Sequence, residues 1–154
     1  MRRKDKAITE QEKIEKILRE GTVCQLAFSA EPVPYIVTLN YGYHAGALYF
    51  HAAAEGRKLD LIRQHGRAAF TVALDRGLIT GEQACDWSIR YQSVVGSGAV
   101  VLLETAEEKR LALDRLMAHY SGEDFSYPDK MIQATAVFKL VIGEMTAKQS
   151  NMDR

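Results

Sequence analysis

A short segment in the first half of the chain places a glycine and two cations where a predicted strand gives way to a predicted helix. The aromatic run 48–51 is followed, four residues later, by Gly56, Arg57 and Lys58. The free N–H groups of a first helical turn, the positive end of the helix dipole and both cations would converge on one small volume, which suits a phosphate. A plain connection with a solvated face has the same composition, so both interpretations stay open here.

Histidine titrates near neutral pH, and the chain has four. His51 ends the strand before Gly56, Arg57 and Lys58, which we call the anion turn. It could donate a proton to a substrate, or it could simply contact solvent or a partner subunit. We interpret His44 as a turn residue, and His65 and His119 as surface residues near helix ends, where the dipole favours them. The four histidines show no H-x-x-x-H spacing, which predicts no metal site.

Composition excludes several classes of function. With 154 residues, 47% apolar content and equal numbers of acidic and basic side chains, the chain is expected to form one domain without a field that attracts nucleic acid or membranes. The basic segment 1–6 is the one candidate nucleic-acid arm, but it leads into a polar stretch and not into the apolar core of a secretory signal. Cys24 and Cys85 lie far apart and in different contexts, a pattern that supports neither a disulfide framework nor a metal knuckle. Cys24 is predicted to be a small buried residue. We therefore expect a cytoplasmic protein.

Hydrophobic patterning predicts a mainly β fold with peripheral α-helices. Capping boxes at Thr9 and Thr105 predict the starts of two helices, and a third helix is predicted over residues 57–65. Runs of β-branched and aromatic residues predict six strands, at residues 22–29, 35–43, 48–51, 68–75, 91–103 and 136–143. Five or six mostly antiparallel strands with helices at the ends indicate a small closed or split β-barrel.

Assembly is suggested by residues 100–103, four consecutive large apolar side chains. Because successive side chains of a strand point to opposite faces, both faces of this strand must avoid water. One face can meet the barrel interior. For the other, a subunit interface is the preferred cover, and the helix that contains Leu113 is the alternative.

With these elements in place, the chain resembles the pyridoxamine 5′-phosphate oxidase-like FMN-binding split barrels. The anion turn and the strand segments 34–40 and 90–98 carry this likeness. The segments 50–59, 84–91 and 144–148 make it look, more narrowly, like the nitroimidazole-resistance (Nim-type) reductase branch. The resemblance implies a six-stranded antiparallel split β-barrel, forming a single domain over the whole chain, and a homodimer with FMN at the subunit interface.

The resemblance also implies a set of site residues. Gly56, Arg57 and Lys58 would hold the FMN phosphate, and Tyr91 and Ser93 would reach the cofactor from the other subunit. The complete implied set is Val37, Thr38, Leu39, Asn40, His51, Ala52, Gly56, Arg57, Lys58, Tyr91 and Ser93, with His51 as the catalytic candidate. Strand alternation separately predicts that Thr38, Asn40 and His51 share one exposed face, opposite a core face.

These observations predict an FMN-dependent oxidoreductase that reduces small electron-poor compounds, such as nitroaromatics, with electrons from a reduced nicotinamide. The alternative is a flavin- or haem-binding module without turnover. The founding enzyme of the family grips its substrate phosphate with an arginine-rich C-terminal segment, and the tail at residues 149–154 offers no such strand, so vitamin B6 oxidation is not expected. Trp87 could stack on a ring or close the cleft, but packing on the core is the preferred prediction. Lys148 lies in a tail that could fold over the partner's cleft, but terminal lysines are usually solvated, so it stays outside the predicted site.

Overall fold

The computed structural model describes residues 4–152. Eight strands and four α-helices form its regular structure: β1 (Ala7–Ile8), α1 (Gln11–Glu20), β2 (Cys24–Phe28), β3 (Tyr35–Leu39), β4 (Gly42–His44), β5 (Ala47–Ala53), α2 (Arg57–His65), β6 (Arg67–Ile79), β7 (Ser88–Leu103), α3 (Ala106–Met117), α4 (Asp129–Ala134) and β8 (Thr135–Ser150). Half of the basic segment 1–6, namely residues 1–3, lies outside the described residues, as do the last two residues of the tail. No helix within residues 4–152 combines the length and apolar composition needed to span a bilayer.

All eight strands belong to one sheet, and every pairing in it is antiparallel. The sheet path runs β3-β2-β6-β7-β8-β5-β4, and β1 pairs with β8 beside this path. The predicted class, mainly β with peripheral α, is confirmed, but the strand number is eight and not six. β1 has only two residues, too few to show alternation, and the strand predicted over residues 35–43 is interrupted at Asn40 and Tyr41.

Four strands extend beyond their predicted limits, β5 by one residue at its start and two at its end. β6 continues to Ile79, inside the loop predicted at residues 77–85, β7 begins at Ser88, and β8 runs on to Ser150. A register shift leaves Gly143, the predicted end of β8, without a partner on β7. Such a bulge bends a strand without ending it, which is why the glycine did not terminate the sheet.

The sheet curls back on itself, because its two terminal strands are neighbours along the chain. Only Asn40 and Tyr41 separate β3 from β4. A link of this length spans about 11 Å at most. If the seven strands of the path lay flat, steps of about 4.8 Å would place its ends about 29 Å apart. The sheet is therefore barrel-like, with one face turned inward.

The inward face carries the core. Its fully buried side chains include Leu26, Phe28, Tyr41, Leu48, Phe50, Val72, Val94, Phe138 and Leu140. Cys24 lies in the same cluster and is completely buried, which confirms its predicted role. Ile17 and Leu18 of α1 and Leu59 of α2 close the core from outside the sheet.

Tyr41, His119 and Tyr120 form a hydrogen-bonded group, called the hub below, that ties the end of α3 to the sheet. The Tyr41 hydroxyl donates to the Leu18 carbonyl at 2.6 Å. The Tyr120 hydroxyl donates to the Thr22 carbonyl at 2.8 Å and accepts the backbone N–H of Tyr41 at 2.9 Å. Burial holds the pKa of Tyr41 far above its ordinary value, so this hydroxyl remains a donor.

His119 completes the hub through both ring nitrogens. Its Nδ1 accepts the backbone N–H of Tyr43 at 3.3 Å, and its Nε2 lies 2.6 Å from the Gly21 carbonyl. Since Nδ1 accepts, the proton lies on Nε2 and is donated to that carbonyl. His119 is half-buried and structural, so its interpretation as a surface residue was wrong.

The two predicted capping boxes had different outcomes. At α3 the prediction is confirmed: the Glu108 N–H donates to the Thr105 hydroxyl at 3.2 Å, and the Thr105 N–H donates to the Glu108 carboxylate at 3.0 Å. At α1 the box at Thr9 was wrong, because the N-cap is Glu10 and its side chain caps nothing. The preceding Ile8 is held in β1 against β8, so strand pairing sets the start of this helix.

The apolar segment 100–103 is covered partly by a helix. Leu103 is buried against Ala112 of α3, with Leu113 packed beside it. The alternative cover is therefore the observed one at this residue. Val101 on the same face remains exposed, and the homodimer stays a prediction.

Trp87 does not pack on the core. It lies on the arm formed by residues 76–90, where β6 turns into β7, and 52% of its surface is exposed. Its indole N–H donates to the Gly81 carbonyl at 2.9 Å. Leu78 and Ile89, register partners on the same arm, are also exposed. The predicted core packing of Trp87 was wrong.

Candidate functional site

Two strand edges without ladder partners define the candidate site. β3 pairs with β2 on one side only. β5 pairs with β8 along its whole length, but with β4 only through Ala47, Leu48 and Tyr49. One edge of β3 and the last part of β5 thus keep backbone N–H and C=O groups without a ladder, among the residues that the structure describes. Such edges offer fixed donors and acceptors to a ligand.

The two open edges lie along the same gap, which we call the split. Gly42 is the register partner of Tyr49. This register, continued backward along the chain, sets Tyr41 opposite Phe50 and Asn40 opposite His51. The Tyr41 and Phe50 rings are indeed 6.4 Å apart between centroids, which closes one end of the split.

The other end of the split is bridged by Arg57. Its guanidinium carbon lies 5.2 Å from the centre of the Tyr35 ring, a cation–π distance. Tyr35 is the first residue of β3 and Arg57 the first of α2. The predicted anion turn therefore meets β3, the strand that carries the predicted cofactor residues Val37 to Asn40. The sequence pattern did not predict that Tyr35 makes this contact.

Side-chain direction along the split follows the predicted alternation. Thr38 and Asn40 are exposed beside β3, and His51 is exposed on β5. Val37, Leu39 and Ala52 turn toward the core, so a ligand in the split would meet these three through their backbone. The side chains of Thr38, Asn40 and His51 make no hydrogen bond or ion pair within residues 4–152.

Gly56 supplies the backbone conformation that the anion turn needs. It caps α2 with φ of +124°, a value that side-chain-bearing residues rarely adopt. A Cβ at this position would meet no atom within 4 Å, so the glycine is required by its backbone angle and not by crowding from the protein. No side chain caps the helix, whose first intrahelical bonds begin at the N–H of Leu59. The N–H groups of Arg57 and Lys58 are left for a ligand.

The two cations of the turn are not neutralised by the protein. No carboxylate in residues 4–152 lies within 4 Å of the Arg57 or Lys58 side-chain nitrogens. α2 itself is fixed by the buried side chains of Leu59, Leu61 and Ile62. A rigid helix start with free N–H groups and two cations that no carboxylate neutralises within residues 4–152 fits a phosphate group.

The outer face of the sheet next to the split is apolar. Ile36 and Val95 are 64% and 50% exposed. A shallow concavity of about 340 Å³ lies between them, lined also by Gln25, Ala27, Ala69, Phe70 and Thr71. Thr38 is the register partner of Gln25, so this apolar surface adjoins the polar residues of the split.

Tyr91 and Ser93 do not join the split of their own chain. They lie on the outer face of β7, three strands from β3 in the sheet path. Ser93 is only 7% exposed, and its hydroxyl has no hydrogen-bond partner in residues 4–152. β7 is also two strands from β5 on the other side of the path. The remaining predicted residues gather at the split, and these two lie apart from it.

A second concavity, of about 410 Å³, lies beneath the end of α3 and is lined by Arg115, Phe125 and Tyr127 among others. None of the predicted site residues lines it. Within the described part of the chain, no three or more histidine, cysteine, aspartate or glutamate side chains group together as metal ligands would. The split is therefore the region where predicted residues and unpaired polar groups coincide.

Comparison with known proteins gives a match to one family and to several solved structures. The sequence model of a family described as pyridoxamine 5′-phosphate oxidase matches residues 10–149. The crystal structure of a putative 5-nitroimidazole antibiotic resistance protein from Bacteroides thetaiotaomicron is 33% identical, with a TM-score of 0.83 over 93% of this chain and 86% of that one. Comparison with curated proteins gives no match.

Two more distant structures share the fold. The FAD and heme binding protein from Mycobacterium smegmatis is 22% identical, with a TM-score of 0.84 over 95% of this chain and 74% of that one. The flavocytochrome Anf3 from Azotobacter vinelandii is 24% identical, with a TM-score of 0.85 over 98% of this chain and 72% of that one.

Proposed function

The chain belongs to the pyridoxamine 5′-phosphate oxidase family, and from that premise we propose that it is a homodimeric FMN-dependent oxidoreductase. Its substrates are small electron-poor compounds such as nitroaromatics, and a reduced nicotinamide supplies the electrons. One observation carries the proposal: polar side chains and two cations that have no partner within residues 4–152 line the same split as two open strand edges.

Each part of the split has a separate task in holding the cofactor. Arg57, Lys58 and the free N–H groups at the start of α2 bind the phosphate. The open edge of β3, from Val37 to Asn40, offers backbone donors and acceptors to the polar side of the ring system. Thr38 and Asn40 add side-chain hydrogen bonds. The hydride chemistry is supplied by the flavin when it is bound.

His51 is the proposed proton donor. It is exposed beside the open edge of β5, two residues before the strand ends at Ala53. Its ring nitrogens make no hydrogen bond to residues 4–152. A free imidazole at this position can donate a proton to a substrate oxygen, which hydride transfer to a nitro group requires.

The position of Tyr91 and Ser93 supports the proposed homodimer. A second copy placed on the apolar outer face would cover Ile36 and Val95, and it would bring Tyr91 and Ser93 of one subunit to the split of the other. Covering this face removes exposed apolar area from water, which supplies the driving force for association.

Removing both cations of the turn tests the proposal. Hydrogen bonds to charged groups contribute about 1.5 to 3 kcal/mol each, so Arg57→Ala with Lys58→Ala should weaken FMN binding by about 3 kcal/mol or more, over a hundredfold in Kd. The measurement is a flavin-fluorescence titration, paired with the urea unfolding midpoint. The matched control is Arg63→Ala with Arg67→Ala, which removes two exposed cations near the other end of the same helix and should leave Kd within about threefold.

Two results would contradict the proposal: a wild-type protein that does not bind FMN, or a double variant that binds it as tightly as the wild type while folded. Riboflavin, which lacks the phosphate, gives an internal check. Its weaker binding should be the same in the wild type and in the double variant.

A binding module without turnover is the second candidate, favoured by the names of the two distant structures, one a FAD and heme binding protein and the other a flavocytochrome. Protein loaded with FMN would then fail to oxidise a reduced nicotinamide with any nitroaromatic acceptor. A haem titration followed by its absorption band would show whether haem competes with flavin.

A further inference from the structure

We propose that Lys148 completes the flavin site from the partner subunit, where its ammonium group faces the ring system and stabilises the cofactor's reduced form. This inference rests on the proposed function. It adds a residue that sequence reasoning placed outside the site, and it assigns that residue a specific electrostatic effect.

The first observation is where the long β8 strand places Lys148. Its register partner on β7 is Ser93, so the two side chains lie next to each other on the outer face. Its Nζ lies 5.4 Å from the centre of the Tyr91 ring. The side chain is exposed, and no carboxylate in residues 4–152 lies within 4 Å of it. A lysine in a loose tail would have no such fixed position.

The second observation concerns two nearly buried serines on this face. Ser150, opposite Tyr91, is 4% exposed and accepts a hydrogen bond from Lys6 at 2.7 Å. Ser93 is similarly enclosed, yet its hydroxyl has no partner among the described residues. The Ser93 oxygen is not fully enclosed, so it still reaches solvent and is available to a ligand. Lys148 and Ser93 are thus neighbours on the sheet. Within residues 4–152 the lysine has no ion pair and the serine hydroxyl has no hydrogen bond.

The ring system is the part of the cofactor left for Lys148. In the proposed function the phosphate is already met by Arg57, Lys58 and the start of α2, all from the subunit that owns the split. Tyr91 and Ser93 approach from the other subunit, and Lys148 stands beside them. Reduction adds negative charge to the pyrimidine side of the ring, and a fixed cation there favours the reduced form over the oxidised form.

The experiment compares Lys148→Met with Lys148→Arg in FMN-loaded protein. Methionine keeps the length of the side chain and removes the charge, whereas arginine keeps the charge. We expect Lys148→Met to reduce the preference for reduced over oxidised FMN tenfold, which is about 30 mV in the midpoint potential of a two-electron couple. Lys148→Arg should stay within threefold of the wild type. Lys139→Met, which removes another lysine of β8, should not differ from the wild type.

Heterodimers show from which subunit the lysine acts. Co-expression of Lys148→Met chains with Arg57→Ala, Lys58→Ala chains gives a dimer in which only the split of the Lys148→Met chain can hold FMN. If the lysine acts across the interface, this flavin meets the intact Lys148 of the other chain and shows the wild-type potential. If the lysine acts within its own chain, the flavin shows the lowered potential.

An unchanged potential in Lys148→Met, or a lowered one in the heterodimer, would overturn this inference while leaving the proposed function intact. A wild-type protein that does not bind FMN would overturn both.

Discussion

The hub and the split both contain histidine and hydroxyl side chains, but the protein treats them in opposite ways. In the hub, the two ring nitrogens of His119 are hydrogen-bonded to backbone groups, and the hydroxyls of Tyr41 and Tyr120 are bonded as well. In the split, the ring nitrogens of His51 and the Thr38 hydroxyl bind no group in residues 4–152.

The difference indicates which polar residues stabilise the fold and which await a ligand. A buried polar group left unpaired costs free energy, so groups that build the fold are paired within it. Groups that are exposed, unpaired and clustered are free to bind something else. Three experiments test this division, and we give them in order of expected effect.

The largest effect is expected in the hub. His119→Ala removes two hydrogen bonds and leaves the Gly21 carbonyl and the Tyr43 N–H without partners. Each loss should cost about 1 to 2 kcal/mol, so the free energy of unfolding should fall by about 2 to 4 kcal/mol. Urea denaturation measures the change. His44→Ala, at the exposed end of β4, is the control and should stay within about 0.5 kcal/mol. If both variants were equally stable, the hub would not be structural.

The reverse pattern is expected for His51. His51→Ala should change the free energy of unfolding by less than about 0.5 kcal/mol. Its rate of nitroaromatic reduction should fall by about 10- to 100-fold if the imidazole donates a proton. His51→Gln separates proton donation from hydrogen bonding, because glutamine retains the latter only. An active glutamine variant would limit His51 to binding.

The smallest effect distinguishes the two cysteines by pH. Burial raises the pKa of the Cys24 thiol, which lies close to the hub, from 9.0 to about 12. The unfolded chain loses this proton at lower pH than the folded chain, so stability is lost as pH rises above about 9, by at most about 1.4 kcal/mol per unit. Cys24→Ala should give a shallower slope between about pH 9 and about pH 11. The exposed Cys85→Ala should keep the wild-type slope.

The sequence was informative wherever structure is local. Alternation correctly assigned the faces of β3 and β5, and the capping box at Thr105 correctly started α3. It was misleading where residues distant in the sequence decide the outcome. Ile8 pairs with Ala147 across most of the chain, which shifts the start of α1 and adds a strand that two residues could not reveal.

The same reason explains what was missed at the site. The residues of the anion turn are adjacent in sequence and could be recognised together. The contact of Arg57 with Tyr35, and of Lys148 with Tyr91, joins segments far apart along the chain, and no short-range pattern encodes it. α4, a helix of only six residues, likewise lacks a periodic signal long enough to read.

The half-exposed indole on the arm gives the molecule a built-in optical probe. Trp87 is the chain's single tryptophan, and its tether to Gly81 keeps it in one place. Ultraviolet emission from the protein therefore originates chiefly at this arm, without any label. A colour shift of that emission on dilution would report whether a neighbouring molecule had been shielding the ring from water.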